Sequence, residues 1–494
     1  MLESAEIGHT ISKRAYDRAE PRLREALLNA QFDLYSKQRG PVLLIISGVD
    51  GGGRSETANK LMAWMDPRHI RVHAFDAPEP EEAVRPPAWR YWRAMPPRGR
   101  LGIFMNAWYR DVLASGVDSK VDDDRMHSIA AGIRHHESML TKEGVVLLKF
   151  WVHLAKADQK KRLEQLESDP DTSWRVTRDD WKRYRLYTRS HDVWEHVLRE
   201  TSTDEAPWTI VEGTDERYRN LTVGRILLAT MKASLAARTT ATPRRTPAAM
   251  AAADVDNTKL IRDLDLSRKL GQDRYEREVE HYQGKIAKLT RSKRFADRSL
   301  VLVFEGVDAA GKGGAIRRVT AALDSRLYIT VPVAAPTDDE RAHPYLWRFW
   351  RYVPRRGGIV IFDRSWYGRV LVERVEQLCP PADWMRAYDE INQFEEQLVD
   401  AGAVVVKFWL QISRDEQLRR FHAREKTPFK RFKITADDWR NRKKWNAYEA
   451  AISDVIDRTS TEIAPWTLVE AEDKRYARAK VLKTIAKRLE ASLE

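Results

Sequence analysis

The chain has 494 residues, 43% of them apolar, and carries 86 Lys and Arg against 73 Asp and Glu, a formal net charge of +13. That length supports two or three cored domains and excludes a small stapled scaffold. The positive balance points to a polyanionic partner: nucleic acid, an acidic surface or a phosphate-rich substrate. With Cys379 as the single cysteine, no intramolecular disulfide can form. The opening MLESAEIGHTISKR has no apolar signal core, and runs such as PVLLIIS and GAVVV are far shorter than the ~20 residues that cross a bilayer, so a cytoplasmic chain is expected.

In chain order, residues 13 to 38 predict a helix ahead of the apolar run PVLLIISGVDGGGRS at 41 to 55. This run recurs as SLVLVFEGVDAAGKG at 299 to 313, 258 positions later, and the same offset holds for three further pairs. Trp92 aligns with Trp350, Lys149 with Lys407 and Trp208 with Trp466. The chain is therefore read as two copies of one unit, residues 1–237 and 258–494, joined by a Thr-, Pro- and Ala-rich linker at 238–257. A helix over 259–293 precedes the second copy. There, strands are expected near 299–305, 328–333, 358–362, 403–410 and 466–470, with helices over 312–323, 383–400, 414–424 and 435–458. Apolar runs alternating with helices argue for an α/β fold, a parallel sheet flanked by helices in each copy.

Gly306-Val307-Asp308-Ala309-Ala310-Gly311-Lys312-Gly313 fits the first seven positions of the phosphate-binding loop G-x-x-x-x-G-K-[ST], after a strand and opening a helix. Small residues let successive backbone N–H groups close around phosphate oxygens at a positive helix terminus. Lys312 would counter the charge of the transferred group. Gly313 lacks the hydroxyl that usually helps hold Mg²⁺, so the metal needs other ligands. Asp308, an acid inside an anion-attracting loop, and Asp363, closing the run GGIVIF, form the expected Mg²⁺ pair. For Asp363-Arg364-Ser365, a plain helix N-cap is the alternative.

The first copy serves as an internal control. Its loop is GVDGGGRS, with Arg54 opposite Lys312, and Met105, Asn106 and Ala107 stand opposite Asp363, Arg364 and Ser365. Loss of the metal carboxylate would end chemistry and spare folding, so this copy is read as inactive. Trp92, Trp108, Lys149, Trp181 and Trp208 persist in it, which marks them and their counterparts as framework. From Arg414 to Lys444 the net charge is +7, against +2 for the matching span Lys156 to Leu186. Arg420 and Arg424 lie four apart on one helical face, and Lys430, Arg431 and Lys433 follow Pro428, which describes a basic lid over the loop. Thr337, Asp338 and His343, in the polar stretch after the second strand, are the nucleotide-binding candidates.

GVDAAGKGG, HPYLWRFWRYVPRRGGIVIFDRSWYGRVLVERVE, VVKFWLQISRDEQLRRFHAREKTPFKRFK and APWTLVEAEDKRYAR together resemble the family-2 polyphosphate kinases, in particular their fused two-domain branch. The resemblance covers residues 275 to 490 well and 15 to 235 as a degenerate copy. It implies two tandem P-loop kinase-like domains, each with a helical lid, Mg²⁺ dependence, and inorganic polyphosphate as phosphoryl donor. It further implies conversion of AMP to ADP by the C-terminal unit and homo-oligomeric assembly; no nucleic-acid or membrane partner is expected. Asp308, Lys312, Asp363, Arg364, Arg420 and Arg424 fall on family catalytic or phosphate-binding positions. Two other readings stay open at this point: an ATP-dependent nucleoside monophosphate kinase, and a non-catalytic polyanion-binding scaffold.

Overall fold

The computed structural model describes residues 1–115, 123–237, 259–428 and 434–494. The expected linker at 238–257 and the lid residues Lys430, Arg431 and Lys433 lie outside the described residues. The chain forms two compact units. The first comprises Met1–Pro78, Arg90–Thr240 and Pro336–Trp347; the second comprises Glu79–Trp89, Ala241–Ala335 and Arg348–Glu494. Each unit thus takes in a short stretch numbered within the other repeat.

Each unit holds one five-stranded sheet. In the first, β1 (Val42–Gly48), β2 (Ile70–Ala74), β3 (Leu101–Met105), β4 (Val146–His153) and β5 (Trp208–Glu212) run in the order β2-β3-β1-β4-β5. In the second, β6 (Ser299–Gly306), β7 (Tyr328–Pro332), β8 (Ile359–Asp363), β9 (Ala403–Gln411) and β10 (Trp466–Glu470) run β7-β8-β6-β9-β10. All pairings are parallel. The central strand β6 is buried on both faces up to Glu305, which is why its sequence reads as a continuous apolar run rather than an alternation. After β6 the chain lays two strands on one side and then crosses to the other. The carboxyl end of β6 is therefore the switch point at which an open α/β sheet leaves a ligand crevice.

The helices used below are α1 (Lys13–Ser36), α2 (Arg54–Trp64) and α3 (Glu216–Ala236) in the first unit. In the second they are α4 (Gln272–Thr290), α5 (Lys312–Thr320), α6 (Pro381–Asp400), α7 (Arg414–Glu425), α8 (Ala436–Lys443), α9 (Trp445–Thr459) and α10 (Lys474–Leu493). Two expected helices come out differently. The stretch 259–293 gives a short turn at Lys259–Arg262 and then α4, because Asp265 accepts the Ser267 N–H at 3.2 Å in a local turn and Gly271 caps the new helix. The stretch 435–458 breaks at Lys444, whose φ of −98° and ψ of 24° end α8 and begin α9. Leu186 breaks the first unit at the equivalent position, so the break belongs to the fold rather than to the residue type.

One face of the second sheet packs α4, α5 and α10 over Leu300, Leu302, Phe304, Ile361 and Phe408. On the other face a buried polar knot ties β9 to α6 and α9. Lys407 Nζ donates to Glu395 Oε2 at 2.7 Å, the Tyr367 hydroxyl at 2.9 Å and the Thr459 carbonyl at 2.7 Å. Glu395 Oε1 accepts from Tyr367 at 2.7 Å and Trp366 Nε1 at 3.0 Å. Lys149, Glu137, Tyr109 and Thr201 repeat the arrangement in the first unit, which places these residues in the framework of both copies.

An ion pair sealed from water adds little net stability, yet removing one partner strands a buried charge at a cost of about 3–5 kcal/mol. Lys407→Met is expected to lower the unfolding free energy by about that much in urea titrations, and Lys407→Met/Glu395→Gln to recover part of it. A loss below about 1 kcal/mol for the single variant would contradict the framework role.

Candidate functional site

The loop between β6 and α5 is built on glycines placed where nothing else fits. Gly306 sits at φ 147°, and a Cβ there would lie 2.4 Å from the Leu410 carbonyl oxygen. The loop then passes through two further left-handed residues, Ala309 at φ 65° and Gly311 at φ 111°, and Gly311 caps α5. This aims the positive end of α5 into the crevice. Lys312 Nζ folds back over the loop, donating to the Gly306 carbonyl at 2.6 Å and the Val307 carbonyl at 3.4 Å. Burial and the nearby Arg364 guanidinium outweigh the attraction of Asp308, Asp363 and Glu305 and hold its ammonium below the usual lysine range.

Asp363 ends β8 beside Phe304 of β6. Arg364 follows at φ 65°, a left-handed position that only the surrounding structure holds for so large a residue. Its backbone N–H reaches the Phe304 carbonyl at 3.0 Å, and its Nη2 donates to Asp308 Oδ1 at 3.0 Å. Asn441 of α8 donates to Asp308 Oδ2 at 2.9 Å. The helix-cap alternative falls to Ser365, whose hydroxyl accepts the Tyr367 N–H at 3.3 Å. The Asp363 carboxylate has no hydrogen-bond partner among the described residues and lines the cleft above the loop.

A cleft of ≈ 840 Å³ opens over this loop. Asp308, Ala309, Ala310, Gly311, Lys312, Gly313, Asp363, Arg364 and Arg424 all line it, so most of the expected site is brought together. Arg317 and Arg318 of α5, Arg440 of α8 and Arg478 of α10 join the walls. The repeat carried a signal for them: the first copy has Asn59, Lys60, Lys182 and Asn220 at the matching positions, so the second copy has gained guanidinium groups.

Arg420 is placed differently. Its guanidinium donates to the carbonyls of Ala309 and Ala310 at 3.0 Å each, Ala471 at 2.8 Å and Glu472 at 2.9 Å, and to Glu416. All five N–H donors are thereby used, beneath the loop rather than in the cleft. Thr337, Asp338 and His343 line neither this cleft nor the pocket behind it. Thr337 caps the short helix Asp338–Arg341, Asp338 pairs with Arg341, and His343 stacks on Trp347 at 3.7 Å.

Behind the loop, a narrower pocket of ≈ 90 Å³ is walled by Glu305, Trp409, Gln411, Trp445, Tyr448 and Glu449, among others. Glu305 was not singled out by the sequence reading, although it is the one charged residue in SLVLVFEG and is Ser47 in the first copy. Its Oε1 accepts the Ser365 hydroxyl at 2.8 Å, and burial raises its carboxyl above the usual range against the pull of Lys312.

The first unit's loop has the same shape but different chemistry. Arg54 donates to Asp50 Oδ1 at 2.9 Å and Asn106 Oδ1 at 2.7 Å, and Arg183 donates to Asp50 Oδ2 at 2.5 Å. Its cations are turned on its own acids. Met105 offers no carboxylate in the place of Asp363.

Known proteins resemble the chain across both copies. A relative from Pseudomonas aeruginosa named polyphosphate:AMP phosphotransferase is 54% identical over 492 residues, covering 100% of this chain and 99% of its own length. One of the same name from Acinetobacter johnsonii is 35% identical over 96% of each chain. A crystal structure described as polyphosphate kinase 2 from Pseudomonas aeruginosa superposes with a TM-score of 0.89 at 52% identity, covering 100% of this chain and 99% of that one. The family model for polyphosphate kinase 2 matches twice, over residues 10–239 and 269–494, once for each copy of the loop. By its duplicated sheet, its phosphate loop and its full-length relatives, the chain belongs to the polyphosphate kinase 2 family.

Proposed function

We propose that this protein moves the terminal phosphate of inorganic polyphosphate onto AMP, giving ADP, in a Mg²⁺-dependent reaction confined to the unit built around residues 258–494. The observation that carries this reading is the ≈ 840 Å³ cleft. In it a glycine-framed loop, Lys312 and Asp363, which has no hydrogen-bond partner among the described residues, face Arg317, Arg424 and Arg478. A long polyanion needs such a run of guanidinium groups, which favours a polyphosphate donor over a nucleoside triphosphate. AMP as acceptor follows the names of the full-length relatives.

Asp308 and Asp363 fit a Mg²⁺ ion that keeps water and substrate oxygens as its remaining ligands, since such sites commonly use one or two carboxylates. When bound, the ion neutralises charge on the phosphoryl oxygens. The protein's own groups do the rest. The N-terminus of α5 and Lys312 hold the terminal phosphate at the loop, and Arg364 and Arg424 lie where charge grows as the bridging oxygen departs. Glu305 and Ser365 anchor the segment that carries Asp363 and Arg364. The attacking 5′-phosphate of AMP is already anionic, so no strong general base is required; alignment and charge compensation supply the rate. Homo-oligomeric assembly and a cytoplasmic location belong to the same proposal. Among the described residues, no helix is long and apolar enough to cross a membrane.

ADP is expected from a mixture of protein, Mg²⁺, AMP and polyphosphate, and neither from one with ATP as the sole donor beyond background nor after chelation of the metal. ADP formed only with ATP would overturn the choice of donor. Lys312→Ala and Asp363→Asn should each lower kcat by about 100-fold or more with an unchanged circular dichroism spectrum. Near-native turnover in either would remove that residue from the reaction.

A further inference from the structure

In the first unit, Glu56 stands in the first turn of α2, two residues after Arg54. Its Oε1 accepts Arg162 Nη2 at 2.9 Å and Arg175 Nη2 at 3.0 Å, and its Oε2 accepts Arg219 Nη2 at 3.0 Å. Three guanidinium groups from three different segments converge on one carboxylate at the mouth of a phosphate-type loop. The second unit has Gly314 at the matching position, and its space is open but for Arg478, whose Nη2 would lie 3.3 Å from a Cβ there. The cavities differ accordingly. The cleft at Gly314 measures ≈ 840 Å³, while the one lined by Gly51, Gly53, Arg54, Glu56, Arg162 and Arg175 measures ≈ 100 Å³.

We infer that Glu56 is an intramolecular surrogate for phosphate: the first unit keeps an anion cradle, and its own carboxylate fills it. A carboxylate at a helix N-terminus is favoured by the same partial charges and N–H groups that favour phosphate, so the two compete for one place. Arginine forks bind either anion in similar geometry. The electrostatics match. Burial would raise the Glu56 carboxyl, yet Arg162, Arg219 and Arg175 outweigh it and hold the group below the usual glutamate range. The carboxylate thus stays charged at neutral pH and does not leave the cradle by protonation. The native first unit consequently takes no condensed phosphate at its loop, and every chain in solution presents its polyphosphate-binding loop in the second unit. The inference rests on reading this loop as an anion cradle and not on the acceptor or the reaction, so binding alone tests it.

The test is a calorimetric titration of the full-length chain with tripolyphosphate, counting sites. Glu56→Gly, which copies the second unit, and Glu56→Gln, which keeps the side chain's size and removes its charge, should each bind one more tripolyphosphate per chain than the native protein. Arg162→Ala placed on Glu56→Gly should return the count to the native value. An unchanged count in folded Glu56→Gln would overturn the inference, even where Glu56→Gly proved unstable. So would loss of a site on introducing Arg162→Ala into the native chain, since the cradle would then already be binding phosphate.

Discussion

The phosphate loop of the second unit depends on one buried guanidinium. A loop that turns its N–H groups toward an anion must turn carbonyl groups the other way, and those carbonyls need donors once water is excluded. Arg420 supplies them. Its fork spans Ala309 and Ala310 in the loop and Ala471 and Glu472 after β10, so a single side chain locks the cradle to the far side of the sheet. Removing it would leave four carbonyls unsatisfied, each at a cost of about 1–3 kcal/mol. The left-handed Ala309 is held by the same contacts.

The first unit meets the same demand from another direction. Arg219 of α3, whose counterpart is Ala477, donates to the carbonyls of Gly52 at 3.1 Å and Gly213 at 2.9 Å, the equivalents of Ala310 and Ala471. Arg162, the counterpart of Arg420, turns instead to Glu56. Two arginines on unrelated helices therefore brace one backbone shape, which indicates that the shape requires the donor whatever its source. What separates the copies is the charge above the brace. One leaves Asp363, a lysine and several guanidinium groups around an open cleft; the other pairs Arg54 with Asp50, and sets Arg162, Arg175 and the bracing Arg219 against Glu56.

Much of this was legible in the sequence. The central strands β6 and β9, buried on both faces, read as apolar runs, and all five strands in the second unit fall within two residues of their expected limits. The loop, Asp363 and the loss of Asp363 and Lys312 from the first copy could be read by aligning the chain with itself. Helical spacing put Arg420 and Arg424 on one face, and in the fold they part ways: Arg424 lines the cleft and Arg420 lies under the loop. Periodicity fixes a direction around the helix and not the depth of burial, so it could not separate them. Glu305 was hidden because a charge inside an apolar run looks like its end. The break at Lys444 was hidden because it is a backbone event with no proline or glycine to mark it.

The central claim, that Arg420 acts by bracing the loop and not by lending charge to substrate, is tested most directly by Arg420→Lys. Lysine keeps the charge but has three donors on a single atom and cannot span four carbonyls. Amide hydrogen exchange across Gly306 to Gly313, read beside ADP formation, should show protection and turnover falling in Arg420→Lys as far as in Arg420→Ala. A lysine variant with native loop protection and most of its activity would contradict the account.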